Sequence, residues 1–465
     1  MKNLTLKNIA EACNGQLFCN DEVLANTEVE DITTDSRKAG KGSLFVAIKG
    51  QNVDGHDYIN QTYENGALCV ISENKLDTLK PYILVENSLI AIKMVAEFYR
   101  QNLDIKVVGI SGSVGKTSTK EAIYSVLSEK FNTLKTLGNF NNELGLPLTV
   151  FRLRDEHEIA VLEMGISDFG EMTRLAKIAR PDVSVITNIG YCHLEKLGDR
   201  DGVLRAKTEM FKYLSENGSV VLNGDDDKLI TVDEVNGKKP VFYHMSGENS
   251  DIYADNIVHM GIKGIKATLH YKDSKIDVNI HIPGTHMVYN ALAAMCVGKE
   301  FGMTDEEIKN GINKLESVVG RNNIIEKDEY TVIDDCYNAN PVSMRASLDV
   351  LSFADTRKVA ILGDMFELGK DEEKLHEEIG KYIAKSDIDV VVLCGKLMNN
   401  AYTYLLKNSE NKKLYYFDEL KTLLSELDRI LENDDTILVK ASHGMEFSKI
   451  ISCIKWLHIL PDYNI

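Results

Sequence analysis

A glycine-rich turn between an apolar run and a helix constrains the fold of this chain more than any other segment. Val107–Ile110 has the composition of a buried strand, and Ser-Gly-Ser-Val-Gly-Lys-Thr-Ser follows from Ser111 to Ser118. We predict a helix that begins near Thr117. Glycines let the backbone pass close to an anion, N–H groups of the turn and helix point at it, and lysine adds positive charge. The order strand, turn, helix therefore predicts a phosphate-binding loop.

The loop predicts a nucleoside triphosphate as its ligand. Its candidate binding residues are Gly112, Ser113, Val114, Gly115, Lys116, Thr117 and Ser118. The Thr117 hydroxyl is placed to hold Mg²⁺, and ATP binding is our working hypothesis. The usual pattern has glycine at position 110, whereas this chain has Ile110, with Gly109 and Gly112 on either side of it. An ordinary glycine-rich turn between a strand and a helix is the alternative.

Strand-like and helix-like runs alternate along most of the chain, which predicts parallel sheets covered by helices. The 465 residues suggest roughly three domains at about 150 residues each. We expect these to be residues 1–85, 86–318 and 319–465. Leu269–Ile282 alternates more loosely, as antiparallel strands do. The main predicted strands are Ser43–Ile48, Ala67–Ile71, Tyr82–Val85, Lys106–Ile110, Ile159–Glu163, Val183–Thr187, Thr331–Asp334, Lys358–Leu362, Val390–Cys394 and Thr436–Lys440.

The charge balance excludes some classes of partner. Asp and Glu number 71 against 53 Lys and Arg, which gives a net charge of −18. General nucleic-acid binding needs a basic surface, so we expect none. An anionic substrate remains possible where cations cluster locally. No apolar stretch approaches the roughly 20 residues that span a bilayer, and the 8 cysteines form no C-x-x-C pair. We expect a cytoplasmic protein with reduced thiols, no membrane insertion and a monomeric state.

Further candidate site residues follow two predicted strands. Glu163 ends the strand Ile159–Glu163, at the edge where open α/β sheets bind ligands, and a carboxylate there would hold Mg²⁺ directly or through water. His193 lies in the loop after the next sheet strand, so the topology returns it to the same edge as a candidate metal ligand. A solvated loop histidine is the alternative. Periodicity alone places Lys207, like Arg205, on a solvated helix face.

Taken together, these segments resemble the ATP-dependent Mur ligases of peptidoglycan synthesis. The resemblance implies a small α/β domain that binds a uridine nucleotide, a central P-loop ATPase domain with a parallel sheet, and a C-terminal Rossmann-like α/β domain that closes on ATP. The matching motifs follow the family order along essentially the whole chain: Gly112–Thr117, Glu163–Gly165, Thr187–Gly190, His193–Glu195, Ala206–Lys207, Asn223–Asp226, Pro283–Gly284, Asn290–Ala294 and Gly320–Arg321.

Three more segments resemble the family member that joins D-alanyl-D-alanine to UDP-N-acetylmuramoyl-tripeptide through an acyl phosphate. They are Asn139–Pro147, Asp334–Pro341 and Leu362–Gly369. The sibling ligase that adds the third peptide residue is the first alternative, but it often carries Asp-Asn-Pro-Arg, which this chain lacks. Folylpolyglutamate synthetase is more distant because it lacks this type of first domain. A P-loop NTPase without ligase activity is the second alternative.

The resemblance also implies roles for individual residues. Lys116, Glu163, His193 and Lys207 match the catalytic positions. Thr117 and Glu163 would hold one Mg²⁺, and His193 a second one, helped by carbamylation of Lys207. Arg is common in the family where this chain has His443. ATP contacts are implied for Asn290, Arg321 and Asp335. Substrate contacts are implied for Ser36 and Arg37 in the first domain, Asn141 and Asn142 in the second, and Tyr337, Asn338 and Asn340 in the third.

Overall fold

Four β-sheets follow one another along the chain in the computed structural model, which describes residues 1–247, 250–327 and 329–456. Residues 457–465 of the predicted third domain lie outside the described residues. The N-terminal sheet has the strand order β1-β5-β4-β3-β2, with β1 antiparallel and the others parallel. Its elements are α1 (Leu6–Ala12), β1 (Gln16–Phe18), α2 (Glu22–Ala25), β2 (Asp31–Thr33), β3 (Ser43–Val46), α3 (Ile59–Glu64), β4 (Cys69–Ser72) and β5 (Tyr82–Leu84).

The central sheet is entirely parallel, with the order β11-β10-β9-β6-β8-β7. The chain leaves β6 toward one side and later returns to its other side at β9, so a crevice opens at the carboxyl end of β6. The elements are α4 (Ser88–Gln101), β6 (Lys106–Ser111), α5 (Lys116–Leu127), β7 (Thr133–Lys135), α6 (Gly145–Val150), β8 (Ile159–Glu163), α7 (Glu171–Ala179), β9 (Val183–Ile186), α8 (Leu194–Leu197), α9 (Arg200–Thr208), β10 (Ser219–Asn223) and β11 (Val241–Tyr243).

An antiparallel sheet and two helices complete the middle of the chain. The sheet consists of β12 (Ile252–His259), β13 (Ile265–Tyr271) and β14 (Ser274–Ile280), and the helices are α10 (His286–Glu300) and α11 (Asp305–Asn313). β13 and β14 pair antiparallel, which confirms the prediction for Leu269–Ile282. α10 is rich in small buried residues and contacts α5, β10 and β13. It therefore joins the antiparallel sheet to the central one in a shared core.

The C-terminal sheet has the order β15-β16-β20-β17-β18-β19, and β15 alone among its described strands runs antiparallel to its neighbour. Apolar clusters cover both faces, as expected for parallel strands with continuous apolar runs. The elements are β15 (Asn323–Glu326), β16 (Tyr330–Asp334), α12 (Pro341–Ser352), β17 (Lys358–Gly363), α13 (Glu372–Ala384), β18 (Val390–Cys394), α14 (Met398–Asn408), β19 (Lys413–Phe417), α15 (Leu420–Ile430), β20 (Asp435–Lys440) and α16 (Ser448–Trp456).

The alternation of strands and helices confirms the predicted α/β class, and the parallel sheets lie where the apolar runs placed them. The domain boundaries near residues 85 and 318 stay predictions. Within the described ranges, no helix combines the length and the apolar character needed to cross a membrane.

Candidate active site

The carboxyl end of β6 carries the glycine-rich turn, which the end of the neighbouring strand β9 braces. The backbone N–H of Val114 donates to the Asn188 side-chain oxygen at 3.0 Å, and the Thr187 hydroxyl donates to the Val114 carbonyl oxygen at 2.6 Å. A Cβ atom at Gly112 would lie 1.9 Å from the Thr187 hydroxyl oxygen. This close approach explains why glycine stands at position 112, whereas Ile110 is accommodated inside the strand.

Helix α5 begins directly after the turn, and its first N–H groups are open to an anion. Gly115 is the N-cap residue, with φ of 81°, and no described side chain caps the helix. The Lys116 ammonium donates to the carbonyl oxygens of Gly112 at 2.8 Å and Ser113 at 3.4 Å. Burial lowers the pKa of Lys116. A phosphate in the turn would stabilise the charged form of this lysine.

The predicted cation ligands Thr117 and Glu163 lie side by side. The Thr117 hydroxyl oxygen is 3.2 and 3.0 Å from the two carboxylate oxygens of Glu163. Asn141 donates a side-chain N–H to the same carboxylate at 2.8 Å. Glu163 is 1% exposed, so its charge is held inside the protein. The structure thus brings the end of β8, the start of α5 and a predicted substrate residue to one point.

This donor set fits Mg²⁺. Mg²⁺ is usually bound through one or two carboxylates together with substrate phosphates and water. Across the described parts of the chain, no group of three or more His, Cys, Asp or Glu side chains could hold a metal ion alone. Thr117 and Glu163 are therefore suited to a cation that arrives with the phosphates of a nucleotide.

His193 lies directly before α8 in a left-handed backbone conformation, with φ of 50°. Its Nδ1 atom is 2.9 Å from a carboxylate oxygen of Glu367, which belongs to the loop after β17. Burial lowers the pKa of His193. The segment Leu362–Gly369, singled out by its sequence, therefore reaches the candidate metal ligand of the central sheet. The Nε2 atom of His193 has no hydrogen-bond partner among the described residues, so His193 stays a candidate cation ligand.

The interpretation of Lys207 as a solvated residue is wrong. Its side chain in α9 is 1% exposed, and it has no hydrogen bond or ion pair with any residue that the structure describes. Val203, Ala206 and Met210 are buried with it, so Lys207 occupies one position of an apolar stripe with helical spacing. Burial, with a smaller contribution from the charge of Lys116, lowers the pKa of Lys207 to about 8. The stripe is the sequence signal for this burial.

The residues predicted in the third domain meet at the carboxyl edge of β16 and β20. Asp335 follows β16, and its carboxylate is 2.5 Å from the Lys440 ammonium. Lys440 ends β20, is 2% exposed and also donates to the Asn338 carbonyl oxygen at 3.1 Å. The Arg321 guanidinium stands over the Tyr337 ring, 4.2 Å from its centroid. A buried ion pair therefore fixes the loop that presents these side chains.

Three predicted asparagines accept hydrogen bonds through their side-chain oxygens, and the Asn290 side-chain nitrogen also donates to the Met287 sulfur at 3.2 Å. The Asn290 oxygen accepts from the Thr119 hydroxyl at 2.8 Å. The Asn142 oxygen accepts from a backbone N–H at the start of α6 at 2.8 Å. The Asn340 oxygen caps α12 by accepting from the Ser343 N–H at 2.9 Å. The side-chain nitrogens of Asn142 and Asn340 have no partner among the described residues and are free for a ligand.

A cavity of about 880 Å³ connects these elements, within the size range of small-molecule sites. Four predicted residues do not line it: Gly112, Lys207, Ser36 and Arg37. The predicted residues that line it are Ser113, Val114, Gly115, Lys116, Thr117, Ser118, Asn141, Asn142, Glu163, His193, Asn290, Arg321, Asp335, Tyr337, Asn338 and Asn340.

Ser36 and Arg37 belong to the loop after β2. The Arg37 side chain is 84% exposed and binds the Asp35 carboxylate through two N–H groups at 2.8 and 2.9 Å. This interaction lowers the pKa of Asp35 to about 2. The candidates for the uridine nucleotide are therefore separate from the residues that surround the phosphate-binding turn.

Some charged residues of the cavity are not among the predicted site residues. They are Lys93, Glu121, Glu143, Glu171, His286, Glu316 and Lys440, of which Glu143 lies in the segment Asn139–Pro147. Lys440 could be found from sequence, because it ends a buried strand at the binding edge of a parallel sheet. His286 had no such signal; its Nε2 atom is 3.1 Å from the Asn322 side-chain nitrogen, and burial lowers its pKa. The His443 ring lies tilted against the Tyr337 ring, with centroids 5.6 Å apart, and does not line the cavity.

Three family models match the chain in succession. The model described as "Mur ligase family, catalytic domain" matches residues 28–104, "Mur ligase middle domain" matches residues 110–298, and "Mur ligase, glutamate ligase domain" matches residues 320–443. The second match contains the phosphate-binding turn, and the third contains the loop after β16. Together the matches cover most of the chain.

Relatives of known name and structure are similar over nearly their whole length. The UDP-N-acetylmuramoyl-tripeptide–D-alanyl-D-alanine ligase of Bacillus subtilis is 36% identical, covering 96% of this chain and 97% of its own. A crystal structure of MurF from Acinetobacter baumannii has a TM-score of 0.88 at 32% identity, covering 97% of this chain and 98% of its own. MurF ligase from Thermotoga maritima in complex with ADP has a TM-score of 0.80 at 31% identity, covering 91% and 97%. With this three-domain α/β architecture, the chain belongs to the Mur ligase family.

Proposed function

We propose that the chain is an ATP-dependent ligase that joins D-alanyl-D-alanine to UDP-N-acetylmuramoyl-tripeptide in peptidoglycan synthesis. The products are UDP-N-acetylmuramoyl-pentapeptide, ADP and phosphate. The observation that carries the proposal is the meeting, in one cavity, of the phosphate-binding turn, the cation ligands Thr117 and Glu163, and the loop after β16. The B. subtilis relative bears the name of this ligase, and the T. maritima relative holds ADP.

The chemistry converts a poor electrophile into an acyl donor. A carboxylate oxygen of the tripeptide attacks the γ-phosphorus of ATP, ADP leaves, and an acyl phosphate forms. The amine of the dipeptide then attacks the acyl carbon, the tetrahedral intermediate expels phosphate, and the nitrogen loses its proton as the amide forms. Repulsion between anions is the main obstacle, and the protein itself carries a net charge of −18. Cationic groups must therefore be concentrated locally.

The residues around the turn supply these groups. Lys116 and the N–H groups of the turn would bind the β- and γ-phosphates, and Arg321 would reach ATP from the C-terminal sheet. Thr117 and Glu163 would hold Mg²⁺, which neutralises phosphate charge when bound. ATP contacts are also proposed for Asn290 and Asp335. Because these residues come from different sheets, closure of the domains would complete the site and exclude water from the acyl phosphate.

We assign one substrate to each part of the chain. Residues 1–85 would bind the uridine nucleotide, residues 86–318 ATP, and residues 319–465 the dipeptide together with part of ATP. Ser36 and Arg37, outside the cavity, would contact the uridine end of an extended substrate whose peptide end enters the cavity. Asn141 and Asn142 would position that peptide, and Tyr337, Asn338 and Asn340 the dipeptide. Since all these residues come from one chain, a monomer would suffice for activity.

We also propose that Lys207 is carbamylated and, with His193, holds a second Mg²⁺. A pKa of about 8 leaves part of the Lys207 amine neutral near pH 7. The neutral nitrogen can attack CO₂, forming an N–C bond and releasing one proton. The product is an anion where the protein otherwise buries an unpaired cation near Lys116.

A coupled assay tests the proposed reaction. The purified chain is incubated with ATP, candidate UDP-peptides and a panel of dipeptides, and ADP release and product mass are measured. We expect ADP release only with UDP-N-acetylmuramoyl-tripeptide and D-alanyl-D-alanine together, and a product that joins both with loss of water. Addition of a single amino acid to a shorter peptide would indicate the sibling ligase. ADP release without either substrate would indicate a non-ligase NTPase. In Lys116→Ala, nucleotide affinity should fall.

A further inference from the structure

A buried lysine stands next to the candidate cation ligands and has no part in the proposed reaction. Lys120 lies in α5, one turn after Lys116, and is 1% exposed. Its ammonium nitrogen is 3.2 Å from a Glu121 carboxylate oxygen and 3.7 Å from a Glu163 carboxylate oxygen. Glu121 also pairs with Lys135 through its other oxygen. These four residues, Glu163, Lys120, Glu121 and Lys135, form a chain of alternating charges that runs from the buried Glu163 to the half-buried Lys135.

Lys120 pairs directly with Glu163 in the interior, and the Lys116 charge acts on the same carboxylate from further away. The other side-chain partners of the Glu163 carboxylate, Thr117 and Asn141, are neutral. Among the described residues, Lys120 provides the ion pair with Glu163. Removing the partner of a buried charge is costly, because the remaining ion is left without compensation. Lys120 therefore compensates and orients the Glu163 carboxylate.

We propose that Lys120 is a positioning residue. Its ammonium group compensates the charge of the Glu163 carboxylate until a nucleotide brings a divalent cation to that carboxylate. The inference rests on the proposed role of Glu163 as a cation ligand. Lys120 does not line the cavity, so it acts through Glu163 and not on substrate. When a divalent cation binds Glu163, Lys120 keeps Glu121 as its partner, because the Glu121 carboxylate oxygen is already closer to the Lys120 nitrogen than the Glu163 oxygen is. Binding of a cation without a nucleotide is opposed by the like charge of Lys120.

Binding of Mn²⁺ to the full chain, followed by the electron paramagnetic resonance signal of free Mn²⁺, tests this role. Without nucleotide, Lys120→Met should bind Mn²⁺ at least about tenfold more tightly than the wild type, because an uncompensated carboxylate then faces the ion. Lys120→Arg keeps the charge and should behave like the wild type. Equal Mn²⁺ affinity in Lys120→Met and the wild type would overturn the proposal. So would an equal shift in both Lys120 variants.

For a second variant, Glu121→Gln, we expect Mn²⁺ affinity to change in the opposite direction. This variant tests the proposal even if Lys120→Met does not fold. Glu121→Gln removes the alternative partner of Lys120, which then stays with Glu163. Mn²⁺ binding in the presence of ADP should weaken by about three- to tenfold. Unchanged or tighter binding would contradict the proposal.

Two further variants separate the possible failures. Glu163→Gln should lose Mn²⁺ binding in the presence of ADP; if it binds as the wild type does, the proposed cation site is wrong and this inference falls with it. If Glu163→Gln loses binding while Lys120→Met matches the wild type, only the role of Lys120 fails. Lys106→Met is the matched control, since Lys106 forms an exposed pair with Asp182 at 3.0 Å, at the opposite end of β6. It should leave Mn²⁺ binding unchanged.

Discussion

Two buried lysines, Lys207 of the central region and Lys440 of the C-terminal sheet, have opposite surroundings. The Lys440 ammonium pairs with the Asp335 carboxylate at 2.5 Å and also donates to the carbonyl oxygens of Asp335 at 3.4 Å and Asn338 at 3.1 Å. Lys207 is equally buried but has no such partner in the described part of the chain. Its pKa is lowered to about 8, because an ammonium group that loses hydration favours its neutral form.

The presence or absence of a partner distinguishes a lysine that stabilises the fold from one that can react. A paired ammonium holds a loop in place, as Lys440 does for the segment after β16. An unpaired one destabilises the folded protein in its charged form, and its neutral form is a nucleophile. Four predictions test this comparison: three concern these two lysines, and the fourth concerns the exposed Arg37.

Removing the paired lysine should have the largest effect on stability. Lys440→Met leaves the buried Asp335 carboxylate without its cation, and we expect the free energy of unfolding to fall by about 3–5 kcal/mol. Thermal unfolding by calorimetry measures this as a lower Tm. Lys413→Met is the control, because Lys413 is 64% exposed and its nitrogen lies 3.5 Å from Glu432. An unchanged Tm in Lys440→Met would show that the ion pair does not support the fold.

Removing the unpaired Lys207 should instead increase the free energy of unfolding. The folded-state pKa of Lys207, about 8, lies below the unfolded value, so the unfolded chain binds more protons between about pH 8 and 10.4. Wild-type stability therefore rises with pH through this group, relative to Lys207→Met. We expect the variant to be more stable by about 3 kcal/mol below pH 8, with the advantage shrinking toward pH 10. Denaturant unfolding in CO₂-free buffer at pH 7 and 9.5 measures it, and a constant difference would contradict the prediction.

The same substitution should abolish function while leaving the fold intact. If Lys207 carries a carbamate that helps hold a cation, Lys207→Met should lower ligase activity by about 100-fold or more. Wild-type protein in ¹³C-bicarbonate should show a carbamate carbon resonance by NMR, and the variant should not. Lys207→Ala with full activity in the absence of added bicarbonate would refute the carbamate.

The exposed Arg37 should contribute much less to stability than the two buried lysines. Arg37→Ala breaks the pair with Asp35, but the Arg37 side chain is 84% exposed, so the free energy of unfolding should be essentially unchanged. If Arg37 contacts the uridine nucleotide, KM for the UDP-peptide should rise by about tenfold with kcat unchanged. Steady-state kinetics with saturating ATP measures both constants. An unchanged KM would remove Arg37 from the substrate site.

The parts of the site that depend on local sequence could be predicted. The turn at Gly112, the helix that begins at Lys116 and the strand that ends at Glu163 follow from apolar runs and glycine spacing, and parallel strands bring their carboxyl ends to one edge. The contact between Thr117 and Glu163 follows from that topology. Lys207 was harder, because its charge suggested solvent although the spacing of Val203 matched a buried face.

The parts that depend on contacts between distant segments could not be predicted from the residues alone. Asp335 and Lys440 are separated by 105 positions, and their pairing requires β16 and β20 to be neighbours. Asn340 carries the residue type of a ligand-binding position, yet its oxygen caps α12. The approach of Glu367 to His193 depends on how the C-terminal sheet sits against the central one, and no periodicity encodes it.

The contact between Glu367 and His193 also determines the tautomer of the His193 ring. With the Glu367 carboxylate at Nδ1, the neutral His193 ring carries its hydrogen on that nitrogen and keeps a lone pair on Nε2. If the C-terminal sheet moves away, this bias is lost and both tautomers become populated. The tautomer of the His193 ring therefore depends on how the two domains are positioned. ¹⁵N chemical shifts of His193 would thus report whether Glu367 of the C-terminal sheet is in contact with this ring.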